Sequence, residues 1–284
     1  MRQKSWLQDL LAGRRNASLL STMYAGHASD IARTAMDKTD CIIACGGDGT
    51  LHEVVNAVVG KGVAVGILPM GSANDFVKTL YSPAMPPLGI AHFFMNNSKD
   101  IDVGFVTESA GRQHYFINSM GLGFTGRIAQ CVKQTRWLKG ELLYVYALFV
   151  VLLRYQPMHL HVTLMQEDKI VELDEPIFAV SIANGAIEGG KFRIAPLADL
   201  SDGLLDIALL KAVPKRKLFR YVLKYMRGTH IDDPQVLYYK VKSLAITITK
   251  PEVMHLDGEV FDNIAGRMTI EVIPNALTVI GIQE

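Results

Sequence analysis

A chain of 284 residues, 49% hydrophobic and 20% charged, is long enough for one large domain or two modest ones, and it carries no low-complexity tract or evident repeat. A net charge of +1 sets up no global field for nucleic acid or an acidic partner. Three cysteines are too few for a disulfide framework, and Cys41 and Cys45, on one strand parity, lie too close along the strand to bridge, so they read as small reduced core residues.

The N-terminus, Met1 to Leu11, lacks the continuous apolar core of a signal peptide. Ser5–Leu11 reads as a helix, Ala17–Thr22 as a short strand and His27–Asp37 as a second helix. Cys41–Cys45 is a continuous apolar run, the pattern of a parallel strand covered on both faces. A helix over Leu51–Val59 follows, with Thr50 as N-cap, Glu53 completing a capping box and Gly60 as the stop. Val63–Leu68 reads as a second strand, Pro69–Ser72 as a loop and Ala73–Leu80 as a helix, with Ser72 and Asp75 again at capping-box spacing. Two successive strand–loop–helix units put two helix N-termini at one edge of a parallel sheet, where ligands of open α/β sheets bind.

A proline-rich stretch, Ser82–Pro87, and one more helix come next, and then the texture changes. From about Asp100 short alternating runs dominate: Ile101–Val106, His114–Asn118, His159–Met165, Ile177–Ala183, Leu204–Leu210, Val241–Ile248 and Met268–Ile273, interrupted by two helical patches. The expected architecture is an α/β N-terminal domain with a parallel sheet over residues 1–100 and a β-rich, sandwich- or barrel-like C-terminal domain over 101–275. The last strand, toward Ala276–Ile282, is a candidate to return to the first domain. The longest apolar run, Leu142–Leu153, is too short to span a bilayer, which takes about 20 residues. A buried helix is its first expectation, an interfacial segment its second, and a cytoplasmic protein the expectation for the whole.

The most informative stretch is Gly46-Gly47-Asp48-Gly49-Thr50, between an apolar strand and a helix. Its glycines let backbone N–H groups approach a phosphate chain that larger side chains would hold away. A tight turn accounts for one or two glycines, not for three with an acidic residue among them. Asp48 makes sense beside phosphate if Mg²⁺ or ordered water stands between them. No Gly-Lys-Ser/Thr ending follows, so this is not a lysine-centred P-loop. Taken alone, Gly71-Ser72-Ala73-Asn74-Asp75 is as well explained by a capped helix. Beside the first loop it becomes the second arm of one pocket, with Ser72 and the backbone near Gly71 donating to phosphate and Asn74 and Asp75 orienting nucleotide or acceptor.

Gly46–Asn56 followed by Pro69–Phe76 resembles the diacylglycerol kinase catalytic-domain family, with its sphingosine and ceramide kinase relatives. Gly-Gly-Asp-Gly-Thr alone also occurs in NAD kinases and phosphofructokinases, and the Gly-Ser-x-Asn-Asp partner at this spacing narrows the resemblance to lipid kinases. It continues through Asn118–Phe124, Asn184-Gly185, Gly189-Gly190, Ala195-Pro196, Asp202–Asp206 and Leu256–Glu259, almost the whole chain. The resemblance implies an ATP site at Gly46, Gly47, Asp48, Gly49, Thr50, Leu51, His52 and Glu53, with Gly71, Ser72, Asn74 and Asp75. It implies that Asp257 accepts the proton of the lipid hydroxyl, although Asp257-Gly258 alone reads as a hairpin turn. It also implies a structural Mg²⁺ held by the Asp202 side chain and the carbonyls of Asp199 and Leu204, residues that turn chemistry explains equally.

The implied activity is transfer of the γ-phosphate of MgATP to a lipid hydroxyl, diacylglycerol being the default, with transient residence at a membrane surface. A catalytically impaired nucleotide- or lipid-binding regulator is one alternative. An NAD kinase is the other, and Gly71–Asp75 argues against it. The run from Lys211 to Gly228 has no acidic residue and predicts a helix basic on one face, so Lys215, Arg216, Lys217 and Arg220 become candidates for membrane contact, beside the plainer reading of a surface helix. No nucleic-acid partner is expected, and a homodimer is left open. The eight histidines form no metal constellation, and His52 stands where the family often has asparagine. Family members begin with an apolar strand ending in an Asn-Pro-x-Ser-Gly-like loop that touches the nucleotide. Nothing similar precedes Ser5, so the expectation is either an upstream start or a partly lost site.

Overall fold

The computed structural model describes residues 16–80, 98–135, 137, 138, 140–166 and 169–280, together with Leu7 and Leu11. Most of the helix expected over residues 5–11, the helix expected after residue 87 and the tail beyond Ile280 lie outside the described residues. The elements are α1 (His27–Ala35), β1 (Cys41–Gly46), α2 (Asp48–Val58), β2 (Ala64–Pro69), α3 (Asp75–Leu80), β3 (Ser98–Thr107), β4 (Gln113–Phe116), β5 (Ser119–Gly123), α4 (Phe124–Gln134) and α5 (Glu141–Arg154). Then come β6 (Met158–Gln166), β7 (Lys169–Ala183), β8 (Leu205–Lys211), α6 (Lys215–Arg227), β9 (Val236–Val241), β10 (Ser243–Leu256) and β11 (Glu259–Ile280).

In the first third, β1 and β2 pair in parallel from Cys41 opposite Ala64 to Gly46 opposite Pro69. Leu51, Val54, Val55 and Val58 of α2 recur at helical spacing and pack with Ala28 and Ala32 of α1 and with Val65 and Ile67 of β2. Each such buried side chain contributes about 1.5–3 kcal/mol. The capping box expected for α2 does not form. The helix starts at Asp48, with extended Gly47 as N-cap and no side-chain cap. Glu53 instead accepts the Gly26 and Ala28 N–H groups at 2.7 and 2.9 Å, capping α1. Residues 17–22 form no strand: they pair with no ladder, and Leu19 alone packs on Leu68, Cys45 and Met70.

β1 closes one end of the sheet and among the described residues is paired on one side only. Its Ile43 is exposed and Cys41 and Cys45 are half-buried, so the expected cover on both faces is not complete. The cysteine thiols are unpaired, and burial pushes that of Cys41 up to about 11, a protonated and unreactive state.

The β-rich remainder joins the same sheet, so a boundary near residue 100 divides the sequence but not the hydrogen-bond ladder. β5 and β6 share the slot between β7 and β10: β6 fills the half along Met158–Gln166, β5 the half along Ser119–Gly123. Register shifts interrupt both long strands near the junction. The inward residues of β5 to β11 form one apolar core, including Met120, Leu160, Ile182, Ile207, Ile246 and Ile270. The expected run 241–248 is two strands, because Val241 ends β9 and Ser243 begins β10. Among the described residues three helices, not two, lie on this part. α4 escaped notice because its apolar positions, Phe124, Ile128 and Cys131, follow directly on a glycine-rich strand.

β11 runs through both parts of the sheet. It pairs antiparallel with β3 and β10, bulges between Ile273 and Leu277, and then lies parallel to β2 with Val279 opposite Val65. Asn275, at φ 51°, turns the strand there, and buried Asp102 pins it: one carboxylate oxygen accepts the Asn275 N–H at 2.9 Å and the other the Gly203 N–H at 2.7 Å. Removing an acceptor that two N–H groups share costs about 1–3 kcal/mol per stranded donor. Asp102→Ala is therefore expected to lower stability by about 2–4 kcal/mol, read as a lower urea midpoint at unchanged slope.

Candidate active site

β1 and β2 end side by side, so the loops after them meet. The Met70 N–H donates to the Gly46 carbonyl at 2.8 Å. A Cβ on Gly47 would sit 3.0 Å from Gly71 Cα, and one on Gly71 would collide with Gly47 Cα, so only glycine allows the two backbones to touch. No side chain caps the first turn of α2, which leaves a positive helix end facing the loop. Across it, Asn74 at φ 49° closes a turn, its amide accepting from the Gly71 N–H at 3.0 Å and donating to the Gly71 carbonyl at 2.9 Å. α3 thus begins at Asp75, Ser72 is exposed, and the second expected capping box does not form.

Two acidic side chains tie the arms together. Asp48 Oδ1 accepts the Asp75 N–H at 2.8 Å, and the Asp75 carboxylate accepts the Gly189 and Gly190 N–H groups, both at 2.7 Å. Burial, then the neighbouring Asp48 charge, pushes the Asp75 carboxyl up to about 6. Burial raises Asp48 as well. Two carboxylates that resist ionisation beside an uncapped helix end fit a magnesium-bound polyphosphate, whose cation would relieve the repulsion.

Asp257, expected as the proton acceptor, lines the cavity and is held there by four hydrogen-bond donors. Oδ1 accepts the Asn118 and Ser119 N–H groups at 2.8 and 3.1 Å, and Oδ2 accepts the Ile117 N–H at 3.1 Å and His52 Nδ1 at 3.0 Å. A carboxylate has about four acceptor sites, and all are in use, so Asp257 would have to break a buried bond to take a proton. It is an anchor between α2 and the β4–β5 corner. His52 is buried with it, Asn56 Nδ2 donating to His52 Nε2 at 3.3 Å. His52 and Glu53 are thus engaged with Asp257 and with the start of α1, and Thr50 packs against Gly46, while Gly47, Asp48, Gly49, Leu51, Ser72 and Asp75 line the cavity.

That cavity has a volume of about 400 Å³ and runs from the glycine loops into an apolar chamber walled by Phe124, Leu148, Leu152, Phe178, Leu218 and Tyr221. Ser119, Tyr144, Glu188, His255 and Glu259 also face it. Sequence reasoning passed over Tyr144, Glu188 and His255, single polar residues in no motif. Burial, then the Asp75, Asp48 and Glu188 charges, pushes the Tyr144 phenol up to about 12.

In the segment expected to hold a structural Mg²⁺, the Asp202 side chain is paired within the protein. Asp202 Oδ1 accepts the Leu204 N–H at 3.0 Å, while Oδ2 holds Lys240 Nζ at 2.7 Å, and the same ammonium lies 3.4 Å from Asp206 Oδ2. Asp199 is turned to Ser201, accepting its N–H and its hydroxyl at 3.0 Å. Lys240 thus supplies a positive charge between Asp202 and Asp206. Among the described residues no cluster of three metal-ligating side chains occurs.

The helix expected to be basic is present as α6, but Lys215 donates to the Leu153 carbonyl at 2.7 Å and Lys224 pairs with Asp233. Arg216, Lys217 and Arg220 remain exposed. α5 is not the buried helix expected of residues 142–153: Leu142, Phe149 and Leu153 are 70, 54 and 65% exposed, and of residues 142–153 only Ala147 and Val151 are buried. No helix among the described residues is long and apolar enough to cross a membrane.

Comparison with known proteins bears on the family and the fold. Residues 3–106 match the diacylglycerol kinase catalytic domain and residues 118–281 the YegS C-terminal NAD kinase beta sandwich-like domain. The diacylglycerol kinase of Bacillus subtilis (strain 168) is 30% identical over 258 residues, covering 89% of this chain and 82% of that protein. That of Mycobacterium tuberculosis is 26% identical over 217 residues, 76% of this chain and 69% of that protein. The crystal structure of a diacylglycerol kinase from Bacillus anthracis str. Sterne superposes with a TM-score of 0.67 at 22% identity, covering 92% of this chain and 83% of that one, a likeness of fold. The fold and these matches define a kinase-type transferase. The chain belongs to the diacylglycerol kinase catalytic-domain family.

The carboxylate pair gives a pH test. A folded pKa of about 6 for Asp75 exceeds the unfolded value of about 3.9, so this group contributes stability below pH ~4 that is lost as the pH rises through about 6. Carboxyl-carbon NMR of the ligand-free protein is expected to give a midpoint near 6 for Asp75. In Asp48→Asn the midpoint should fall only part of the way, because burial is the larger cause; an unmoved midpoint would remove mutual repulsion from the account.

Proposed function

We propose that this protein transfers the γ-phosphate of MgATP to a hydroxyl of a membrane lipid, with diacylglycerol the first acceptor to test. The observation that carries this reading is the single cavity with a glycine-walled, carboxylate-bearing end and an apolar end. A soluble acceptor would have no use for the second half. In this reading the polyphosphate lies against the Gly47–Gly49 backbone and the positive end of α2. Asp48 and Asp75 would hold Mg²⁺, which supplies charge neutralisation on the phosphates. The residues of the chain then position: phosphoryl transfer needs the hydroxyl in line with the leaving oxygen more than it needs covalent help. The hydroxyl oxygen forms the new P–O bond, the bond from the γ-phosphorus to ADP breaks, and the hydroxyl proton passes to a carboxylate.

Asp257 is fully engaged, so Glu259 is the better proton acceptor. It lines the cavity, its carboxylate keeps 42% exposure, Oε2 accepts from Lys133 Nζ at 3.2 Å, and Oε1 lies 2.8 Å from where a Cβ on Gly49 would be. Positioned general bases contribute about 10²–10⁴-fold. With ATP and mixed lipid–detergent micelles, Glu259→Gln is expected to lower kcat by at least ~100-fold with its unfolding midpoint unchanged. Asp257→Asn should instead lose stability, since its amide would point a donor at backbone donors. Absence of any lipid phosphate from the wild-type protein would end the lipid-kinase reading.

The outer faces of α5 and α6 support a membrane approach. Leu142, Val145, Phe149 and Leu153 form one exposed stripe on α5, Phe219 and Leu223 are exposed on α6, and Arg216, Lys217 and Arg220 stand beside them. The inner faces of these two helices wall the apolar chamber, so an anionic bilayer seated on the outside would lie over the acceptor's route. Near such a surface each basic side chain is worth about 1 kcal/mol. Reversing Arg216, Lys217 and Arg220 to Glu is expected to weaken binding to phosphatidylserine-containing vesicles at least ~10-fold, with neutral vesicles little affected. Unchanged binding to the anionic vesicles would count against this face.

A further inference from the structure

Between the glycine loops and the apolar chamber lies a polar pair with no part in the phosphate site. Glu188 Oε2 accepts the Ser119 hydroxyl at 2.9 Å, and Oε1 lies 3.3 Å from His255 Nε2. The His255 side chain is 2% exposed, yet neither ring nitrogen has an aligned hydrogen-bond partner. Glu188 keeps 21% of its side chain open, and it is the cavity that it lines. The imidazole is packed over Gly121, where any Cβ would strike His255 and Thr125, so the ring is held in place from behind. Burial, the largest single influence on each, would neutralise both groups, but Glu188 with the Asp257 and Asp75 charges holds His255 above its ordinary value, and His255 with the Ser119 hydroxyl holds Glu188 below its own. An ion pair buried at the mouth of a hydrocarbon chamber is costly unless a ligand completes its hydrogen bonds.

We propose that Glu188 and His255 bind a second hydroxyl of the acceptor lipid, so that the protein selects an uncharged single-chain lipid with a 1,2-diol, a monoacylglycerol, over diacylglycerol. This rests on the lipid-kinase reading and refines its acceptor. A carboxylate only accepts hydrogen bonds, and Glu188 has lone pairs left after the Ser119 hydroxyl is served. A free hydroxyl donates to it. An ester oxygen, which is what diacylglycerol places beside its reacting hydroxyl, cannot donate and would face the carboxylate with like polarity. An ammonium in that place, as in a long-chain amino-diol, would meet the His255 charge that already neutralises Glu188. An acceptor carrying its own phosphate would face five carboxylates on the cavity wall, Asp48, Asp75, Glu188, Asp257 and Glu259. The neutral diol is what remains.

The test uses the full chain with ATP and three acceptors of matched chain length in the same detergent micelles: monoacylglycerol, diacylglycerol and a sphingoid base. Phosphorylated products are measured by mass. The wild-type kcat/KM is expected to favour monoacylglycerol over each competitor by at least ~10-fold, since sites built to pair a hydroxyl reject analogues lacking it by up to about 10⁴–10⁵. In Glu188→Gln and, independently, His255→Gln, the preference should shrink to within about threefold, chiefly through KM for monoacylglycerol, with KM for ATP unmoved. A merely structural role would lower all acceptors alike. Equal or better use of diacylglycerol or the amino-diol by the wild type overturns the proposal while leaving the kinase standing. So does a preference that survives both substitutions. No product from any of the three overturns the proposal and the kinase reading together.

Discussion

Four hydrogen-bond donors from two distant parts of the chain converge on the carboxylate of Asp257, and the distance between the two halves of the cavity is set there. Three are backbone N–H groups of the corner between β4 and β5, and the fourth is His52 on α2, 205 residues away in sequence. Hydrogen bonds to a charged group are worth about 1.5–3 kcal/mol each, and a buried charge left short of partners costs more. The left-handed backbone of Asp257, at φ 50°, brings the carboxylate under the corner. α2, which carries the glycine loop at its start, is thereby fixed against the wall on which Ser119 stands.

The cavity built on this anchor combines environments that oppose each other. At one end Asp48 and Asp75 are crowded against their own charge, a local destabilisation that a bound cation would reverse. At the other, aromatic and aliphatic side chains of α4, α5, β7 and α6 exclude water. The mismatch is useful where a polyanion and a hydrocarbon chain must meet at one bond, because the low-dielectric chamber strengthens every polar contact at its edge.

The sequence carried the parts of the site that depend on backbone shape. The glycine pairs at Gly46-Gly47 and Gly71 are visible because no other residue permits that approach, and the strand–loop–helix rhythm around them is periodic. Local capping rules misled at Glu53 and Ser72. Their spacing is correct, but Glu53 found a better partner in the start of α1, and Asn74 closed the loop in place of Ser72. Asp257 was legible as a residue that matters and not as an anchor, since nothing nearby in sequence shows that its four donors converge. Apolar content alone made residues 142–153 look like core, whereas α5 covers the chamber with one face and shows the other to solvent. Glu188 and His255 went unread, each standing one residue before a named motif, Gly189-Gly190 and Leu256–Glu259, with no spacing of its own to mark it.

The path of β11 has a consequence for how the molecule is made. Val65, near the beginning, acquires its second strand neighbour only when Val279 arrives. The first third of the chain emerges early from the ribosome with its parallel ladder one strand short. Chain growth proceeds at about 5–20 residues per second, so this stretch waits many seconds with apolar edge exposed. The part of the protein that holds the glycine loops is then the last to have its sheet completed, and that closure is the slow step that long-range strand pairing imposes.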